Sequence, residues 1–259
     1  MFKNNYPRFE KGVVLKATML ENMLLYQRNM LSILYDGYSE GILAGVNLSI
    51  ENGTTIVISP GIIKHKDMLY HMYEETRVAA HPAHDTQYLR IRFKKPEKKS
   101  DEVQLESEII LDEHPTGVED EVELCRFVLN DGAVLRNSYR DLKDYSTLHD
   151  TVNIIETMYS AADRPTFSPD FLMEFGREML KYRLTDINDV YFANECLKGE
   201  HIKREIIERY LSRRLDMPYK KLSNQEIYRN LVRTADMARK GETSGTGRSV
   251  MQARRMLVD

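Results

Sequence analysis

The residues able to do chemistry are few, and their spacing limits what each group could do. "GETSGTGRS", Gly241 to Ser249, is the glycine-rich stretch. A phosphate-cradling loop needs G-x-x-x-x-G-K-[ST] between a strand and a helix, so that backbone amides and a lysine converge on the phosphates. Here five residues separate Gly241 from Gly247, Arg248 replaces the lysine, and the preceding segment has a helical pattern. The stretch reads as a flexible linker, and an NTPase or helicase is disfavoured. His81 and His84 in "HPAH", with His65 and His71 upstream, raise a metal site. Pro82 blocks a regular helix between them, and no Cys or carboxylate stands at a finger or protease spacing, so these read as surface-loop histidines. The carboxylates of "GVEDEVE", Gly117 to Glu123, could supply acid and base groups. Beside a strand, such a run reads as a solvated edge that discourages pairing with another chain.

Cys125 and Cys196 lie about seventy residues apart, each in an apolar-patterned segment, and read as small buried thiols. Neither stands beside a histidine in sequence and no G-x-S-x-G occurs, so nucleophilic catalysis has no positive support. No catalytic residue, metal ligand or cofactor is predicted, and the chain is not read as an enzyme. The basic set Lys203, Arg204, Arg209, Arg213, Arg214, Lys220 and Lys221 could track phosphates. Glu205, Glu208 and Asp216 interleave with it, so a solvated or protein-docking face is the main reading and nucleic-acid binding the alternative.

The elements that must position these residues follow from periodicity. From Leu15 to Leu34, Leu20, Leu24, Leu31 and Leu34 recur at three- and four-residue steps with Met23 and Met30 alongside, predicting a helix of about five turns with one apolar stripe. From Gly45 to about Arg136 the period becomes two. Glu51-Asn52-Gly53 predicts a three-residue loop with Gly53 left-handed, pairing Leu48 with Ile56 and Val46 with Ile58. Pro60-Gly61 predicts a corner or type II turn, followed by a hairpin of Ile62 to His65 and Met68 to Met72 with Lys66-Asp67 at its tip. Further strands are predicted at Tyr88 to Phe93, Val103 to Leu111 and Glu121 to Leu129, the last turning at Asn130-Asp131-Gly132 into Ala133 to Arg136. Seven or eight short strands at this spacing imply an antiparallel sheet, sandwich or open barrel.

Ser168-Pro169 starts a helix through Tyr182; helices are predicted at Asp186 to Leu197 and Ile202 to Leu215, and a Ser223/Glu226 capping box opens one to about Lys240. The fold class is therefore α+β: an N-terminal arm and helix over 1–40, a β domain over 41–140, a connector over 141–167, a small helical domain over 168–240, and a linker with a terminal docking segment over 241–259.

At 259 residues the chain can bury roughly 70% or more of its unfolded surface, room for one large core or two modest ones, and two are expected. Hydrophobic residues at 42% and charged residues at 30% exclude a disordered or fibrous class. No apolar run approaches ~18 residues and the N-terminus has no signal-like apolar stretch, so neither a membrane span nor a secretory signal is expected. The net charge of −3 hides an asymmetry: His201 to Asp259 holds 14 Lys and Arg against 7 Asp and Glu, hence +7, and the rest holds 23 against 33, hence −10. Such a dipole suits docking to oppositely charged neighbours in a layered particle.

Four strings, "MFKNNYPRFEKG", "VISPGIIKHKDMLY", "DEVELCRFVLNDGAVLRNSYRDLKD" and "DTVNII", resemble a family found in clostridial contractile-tail prophages and in R-type phage-tail-like bacteriocins such as diffocins. The resemblance covers most of the chain and is densest before about residue 155. The Pro-Gly hairpin also resembles a scaffold unit of phage baseplate and tail-fibre attachment domains, although relatives often carry Asn-Gly where this chain has Lys66-Asp67. The resemblance implies a structural baseplate or fibre-linking component, made in the cytoplasm, present in several copies around a sixfold axis and released by lysis. Its implied partners are other baseplate subunits and the tail fibre. The expected interface residues are Arg213, Arg214, Arg248, Val250, Met251, Arg254, Arg255, Met256 and Leu257, with Gly53, Pro60, Gly61 and Gly132 as structural turns.

Overall fold

The apolar stripe read at the N-terminus is a helix, α1, spanning Ala17–Leu34, in a computed structural model that describes residues 10–12, 14–66, 68–99, 103–117 and 119–242. The chain divides into two units, Met1–Tyr38 and Ser39–Asp259. Within the first, α1 starts at Lys16 without a side-chain cap and buries no residue.

The second unit is an α+β assembly. Its strands are β1 (Gly41–Gly45), β2 (Leu48–Glu51), β3 (Thr55–Ile58), β4 (Gly61–His65), β5 (Met68–Met72), β6 (Thr76–Ala79), β7 (Gln87–Phe93), β8 (Glu97–Lys98), β9 (Val103–Gln104), β10 (Ser107–Asp112) and β11 (Glu121–Phe127). They form three separate three-stranded antiparallel sheets, ordered β1-β4-β5, β2-β3-β6 and β10-β7-β11, with β8 and β9 as a small ribbon.

The β2–β3 loop has three residues as expected, but it is Asn52-Gly53-Thr54, and the register slides by two: Leu48 pairs with Ile58 and Ile50 with Ile56. A two-residue slide keeps every side chain on its face. The observed register gives both Leu48 and Ile50 a large apolar partner, whereas the expected one leaves Ile50 beside Thr54. Asn52 and Gly53 both adopt positive φ, 54° and 71°. The Lys66-Asp67 hairpin has the predicted pairing, His65 opposite Met68.

The Pro60-Gly61 corner serves a different purpose from a left-handed turn. Gly61 pairs with Gly45 where β1 and β4 converge; a Cβ on Gly61 would sit 2.5 Å from the Ala44 carbonyl oxygen, and one on Gly45 would sit 2.0 Å from that of Pro60. The two backbones touch, and only hydrogen atoms fit between them. Gly132 does adopt positive φ, 73°, in its turn. Ala133 to Arg136, expected as a strand, instead makes one bridge, Arg136 to Thr151.

Residues 141–167, a connector by their sequence pattern, carry core side chains. Tyr145, Val152, Ile155, Ala161 and Phe167 are buried. The segment pairs with the start of the unit: Ser39 N donates to Ala161 O at 2.8 Å, Ile42 N to Met158 O at 3.0 Å, and Ser160 N to Ile42 O at 2.8 Å.

Four helices follow: α2 (Pro169–Leu180), α3 (Ile187–Cys196), α4 (Arg204–Arg214) and α5 (Asn224–Arg239). Ser168 caps α2 with its hydroxyl accepting from Phe171 N, and Pro169 takes the first helical position, where no amide is needed. The predicted capping box is present on α5, with Ser223 Oγ accepting from Glu226 N at 3.2 Å and Glu226 Oε2 accepting from Ser223 N at 2.9 Å. A single cluster of buried apolar residues runs from Ile42 on β1 to Ala238 on α5, where the length suggested two cores. No helix among the described residues is long and apolar enough to cross a membrane.

Candidate functional site

The charged residues singled out in the sequence mostly turn inward. Glu121 and Glu123, expected on a solvated edge, are buried. Glu121 accepts from Arg92 Nε at 2.8 Å and lies 3.1 Å from Arg90 Nε; Arg90, itself buried, holds Asp112 through both terminal nitrogens at 2.6 and 2.7 Å. A buried carboxylate is tolerated only with such a partner. The hydrogen bond from Arg90 holds the Asp112 carboxyl below its usual range against the opposing effect of desolvation. Glu123 pairs with Arg126 at 2.6 and 2.9 Å.

Of the histidines, His65 is buried between two carboxylates, its Nε2 3.1 Å from Asp120 and its Nδ1 3.4 Å from Glu40, and it stacks on Phe93 with 4.2 Å between ring centroids. Asp120 is also bound by Lys66 Nζ at 2.6 Å, which with His65 lowers its carboxyl pKa. His81 and His84 lie exposed in the loop between β6 and β7. Both cysteines are free and buried, and desolvation raises each thiol well above its ordinary range, as does Glu123 for Cys125, which favours the protonated thiol over the thiolate.

The basic C-terminal set divides in the same way. Arg204 points inward and donates to Asn224 Oδ1, Leu222 O and Pro165 O at 2.6 to 3.2 Å. Glu208, 1% exposed, is a hub: it accepts from both terminal nitrogens of Arg164 and from Leu222 N, with Arg204 Nε 3.6 Å away. Burial pushes its pKa up, but the Arg164 hydrogen bonds and the Leu222 amide outweigh this and lower it.

Arg214, expected at a docking face, is instead 3% exposed with its Nε 3.0 Å from Asp189 Oδ2. It is an internal charge, because α4 presents that position to α3. Arg209 pairs with Glu205 and lies over the Tyr219 ring, and Lys220 pairs with Glu226. Lys203, Arg213 and Lys221 stay exposed. The seven basic residues therefore form no continuous cationic track. Arg248, Val250, Met251, Arg254, Arg255, Met256 and Leu257 lie outside the described residues.

Among the described residues, α1 and the space between α3 and α4 are two of the surfaces that leave apolar side chains in solvent. On α1, Leu20, Met23, Leu24, Met30, Ile33 and Leu34 are all between 41% and 77% exposed, and the helix carries only Glu21 and Arg28 as charges. The second is an open groove of about 410 Å³ between α3 and α4. Its floor is the stacked pair Phe192 and Tyr210, 3.9 Å between centroids, and its rim holds Tyr191 at 72% and Ile206 at 46% exposure with Arg209 and Arg213. The sequence pointed to α1 by its stripe. It gave no signal for the groove, whose walls come from two helices with no shared motif.

No protein-family model matches the chain, and no curated protein matches it in sequence. Several solved chains, among them the following two, are similar in part. One is a crystal structure of TssK, 7% identical over 92% of this chain and 72% of that one, with a TM-score of 0.37. The other, by cryo-electron microscopy, is the type VI secretion system TssK–TssF–TssG baseplate subcomplex, 11% identical over 90% of this chain and 100% of the matched one, with a TM-score of 0.38. Likeness at this level carries no argument about function.

Proposed function

We propose that this protein is a structural, non-catalytic component of a contractile phage-tail-like particle, placed in the baseplate or between baseplate and tail fibre. It is made in the cytoplasm, repeated around the sixfold axis of the particle and released by lysis. The observation that carries the reading is α1: 18 residues, none buried, with leucine, methionine and isoleucine in water over its whole length. Apolar surface of that extent is the mark of a contact with another chain. The sequence resemblance to contractile-tail components supplies the kind of chain, namely neighbouring baseplate subunits. Inward-turned carboxylates and buried thiols agree with a scaffold role, since these groups are committed to ion pairs or to the core.

The experiment is to isolate particles from cells producing this chain with Leu24→Glu and Ile33→Glu in α1, beside the unaltered chain. The unaltered chain is expected to co-purify with sheath and tube proteins, and the altered one to remain soluble, folded and outside the particle. Particles complete and functional in cells lacking the chain altogether would overturn the reading.

A further inference from the structure

A cleft of about 720 Å³ opens between β5 and β6, over a floor of Ile63, Ile91, Phe93 and Ile109. The floor strand β7 contributes alternate residues, Ile91 and Phe93, because one face of a strand presents every second side chain. β6 contributes four in a row, Thr76 to Ala79, so the cleft meets that strand along its edge. β5 and β6 are joined by Tyr73, Glu74 and Glu75 alone, yet they are end strands of different sheets and are not hydrogen-bonded to each other.

The pairing with β3 fixes which way each main-chain group of β6 points. Ala80 N donates to Thr54 O at 2.7 Å, and the register runs on from that pair through Ala79 with Thr55 and Val78 with Ile56. Bonded and non-bonded pairs alternate in an antiparallel ladder, so Val78 bonds to β3 while Arg77 and Ala79 turn their N–H and C=O groups outward. Among the described residues those four groups have no backbone partner. Edge strands are ordinarily guarded by a charged side chain, a proline or a bulge. β6 has neither proline nor bulge, and its one charge, Arg77, is drawn off to Glu51 and Glu75 at 3.2 and 2.5 Å.

We propose that an extended segment of another protein adds to β6 as the fourth strand of its sheet and sets a bulky aliphatic or aromatic side chain on the floor of the cleft. Main-chain bonds to Arg77 and Ala79 hold the segment, and the apolar floor selects the side chain. The basic side chains along the lining are His71, Arg77 and His81, and no carboxylate stands among them. With Arg77 already paired, the exposed His71 and His81 are the donors left for an Asp or Glu beside the apolar residue of the segment. This surface lies wholly in the second unit and uses no residue of α1, so it stands or falls apart from the particle reading.

The test is to select random decapeptides displayed on phage against the full chain, and to follow the tightest one, synthesised, by amide exchange read with NMR. Selected sequences are expected to alternate apolar with polar residues, and the bound peptide to slow exchange of the Arg77 and Ala79 amides by about tenfold or more. Ala79→Pro removes one outward donor without breaking a bond to β3, and Ser107→Trp narrows the mouth from an exposed position on β10. Each is expected to weaken binding by about tenfold or more; if Ala79→Pro shifts the urea midpoint, Ser107→Trp alone decides. A library that yields no binder, peptides that bind as helices, or binding that Ser107→Trp leaves intact would overturn the proposal. So would a bound peptide that leaves Arg77 and Ala79 exchanging freely. Protection of those two amides in the free chain would overturn it as well: unchanged on dilution, it assigns the edge to the chain itself, and fading on dilution, to a second copy.

Discussion

Helices α1 and α4 invert the usual link between composition and burial. α1, "ATMLENMLLYQRNMLSIL", carries two charges and buries nothing, whereas α4, "REIIERYLSRR", carries six and buries Ile207, Glu208, Tyr210, Leu211 and Arg214. The apolar helix buries none of its side chains among the described residues, and the charged helix buries five. Residue type alone therefore does not say which face meets solvent; what decides is whether each group finds its complement within the chain. Glu208 and Arg214 do, through Arg164 and Asp189. Among the described residues, the leucines of α1 find none.

The strongest challenge to this contrast is Glu208→Ala. It strands Arg164 and Arg204 around an emptied site, and a loss of about 3–5 kcal/mol is expected in urea denaturation. A loss under about 1 kcal/mol would mean that the hub is solvated and the contrast false. Next is Asp144→Asn in the connector. The hydrogen bond from Arg136, aided by the Arg140 amide, holds the Asp144 carboxyl at about 2 against the opposing effect of desolvation. Because the folded pKa is depressed below the unfolded value of ~3.9, the stabilisation is full above that value and disappears as pH falls through about 2. The substitution should cost about 1–2 kcal/mol at pH 7 after allowance for solvent screening. Denaturation curves of variant and parent should converge between about pH 4 and 2; a gap that persists at pH 2 would remove the ion pair as its cause.

Ser223→Ala, which removes the α5 cap, should cost about 1 kcal/mol in thermal unfolding. The smallest effect on stability belongs to α1: Leu20→Ser, Leu24→Ser and Ile33→Ser together should move it by less than about 0.5 kcal/mol per site. A larger loss in the monomer would show that α1 is held by the rest of its own chain, and the comparison with α4 would collapse.

The legible parts of the fold were those fixed by near neighbours in sequence. The Ser223/Glu226 box, Ser168-Pro169 and the Lys66-Asp67 tip each depend on residues within four positions of one another. What escaped was non-local. β1, "GILAG", has no alternation to betray it, and the hydrogen bonds that make it a strand come from β4 and from Met158 to Ser160. The register of β2 against β3 could be read only modulo two, since a slide of two residues preserves the pattern of faces. Glu123 is paired within its own strand, by Arg126, whereas Glu121 and Arg214 look like surface charges because their partners lie on other elements, β7 and α3. The groove between α3 and α4 is illegible for the same reason.

The few residues that tie the N-terminal helix to the rest have a mechanical consequence. Any tension arriving along the chain from that helix reaches Ser39 first, and within four residues it meets three backbone bonds, to Ala161, Met158 and Ser160. Load is therefore passed at once to a strand whose far side is stitched to β4, with no slack loop to pay out. A pull on the chain at Ser39 is borne by β1 and the backbone groups bonded to it rather than by a loop.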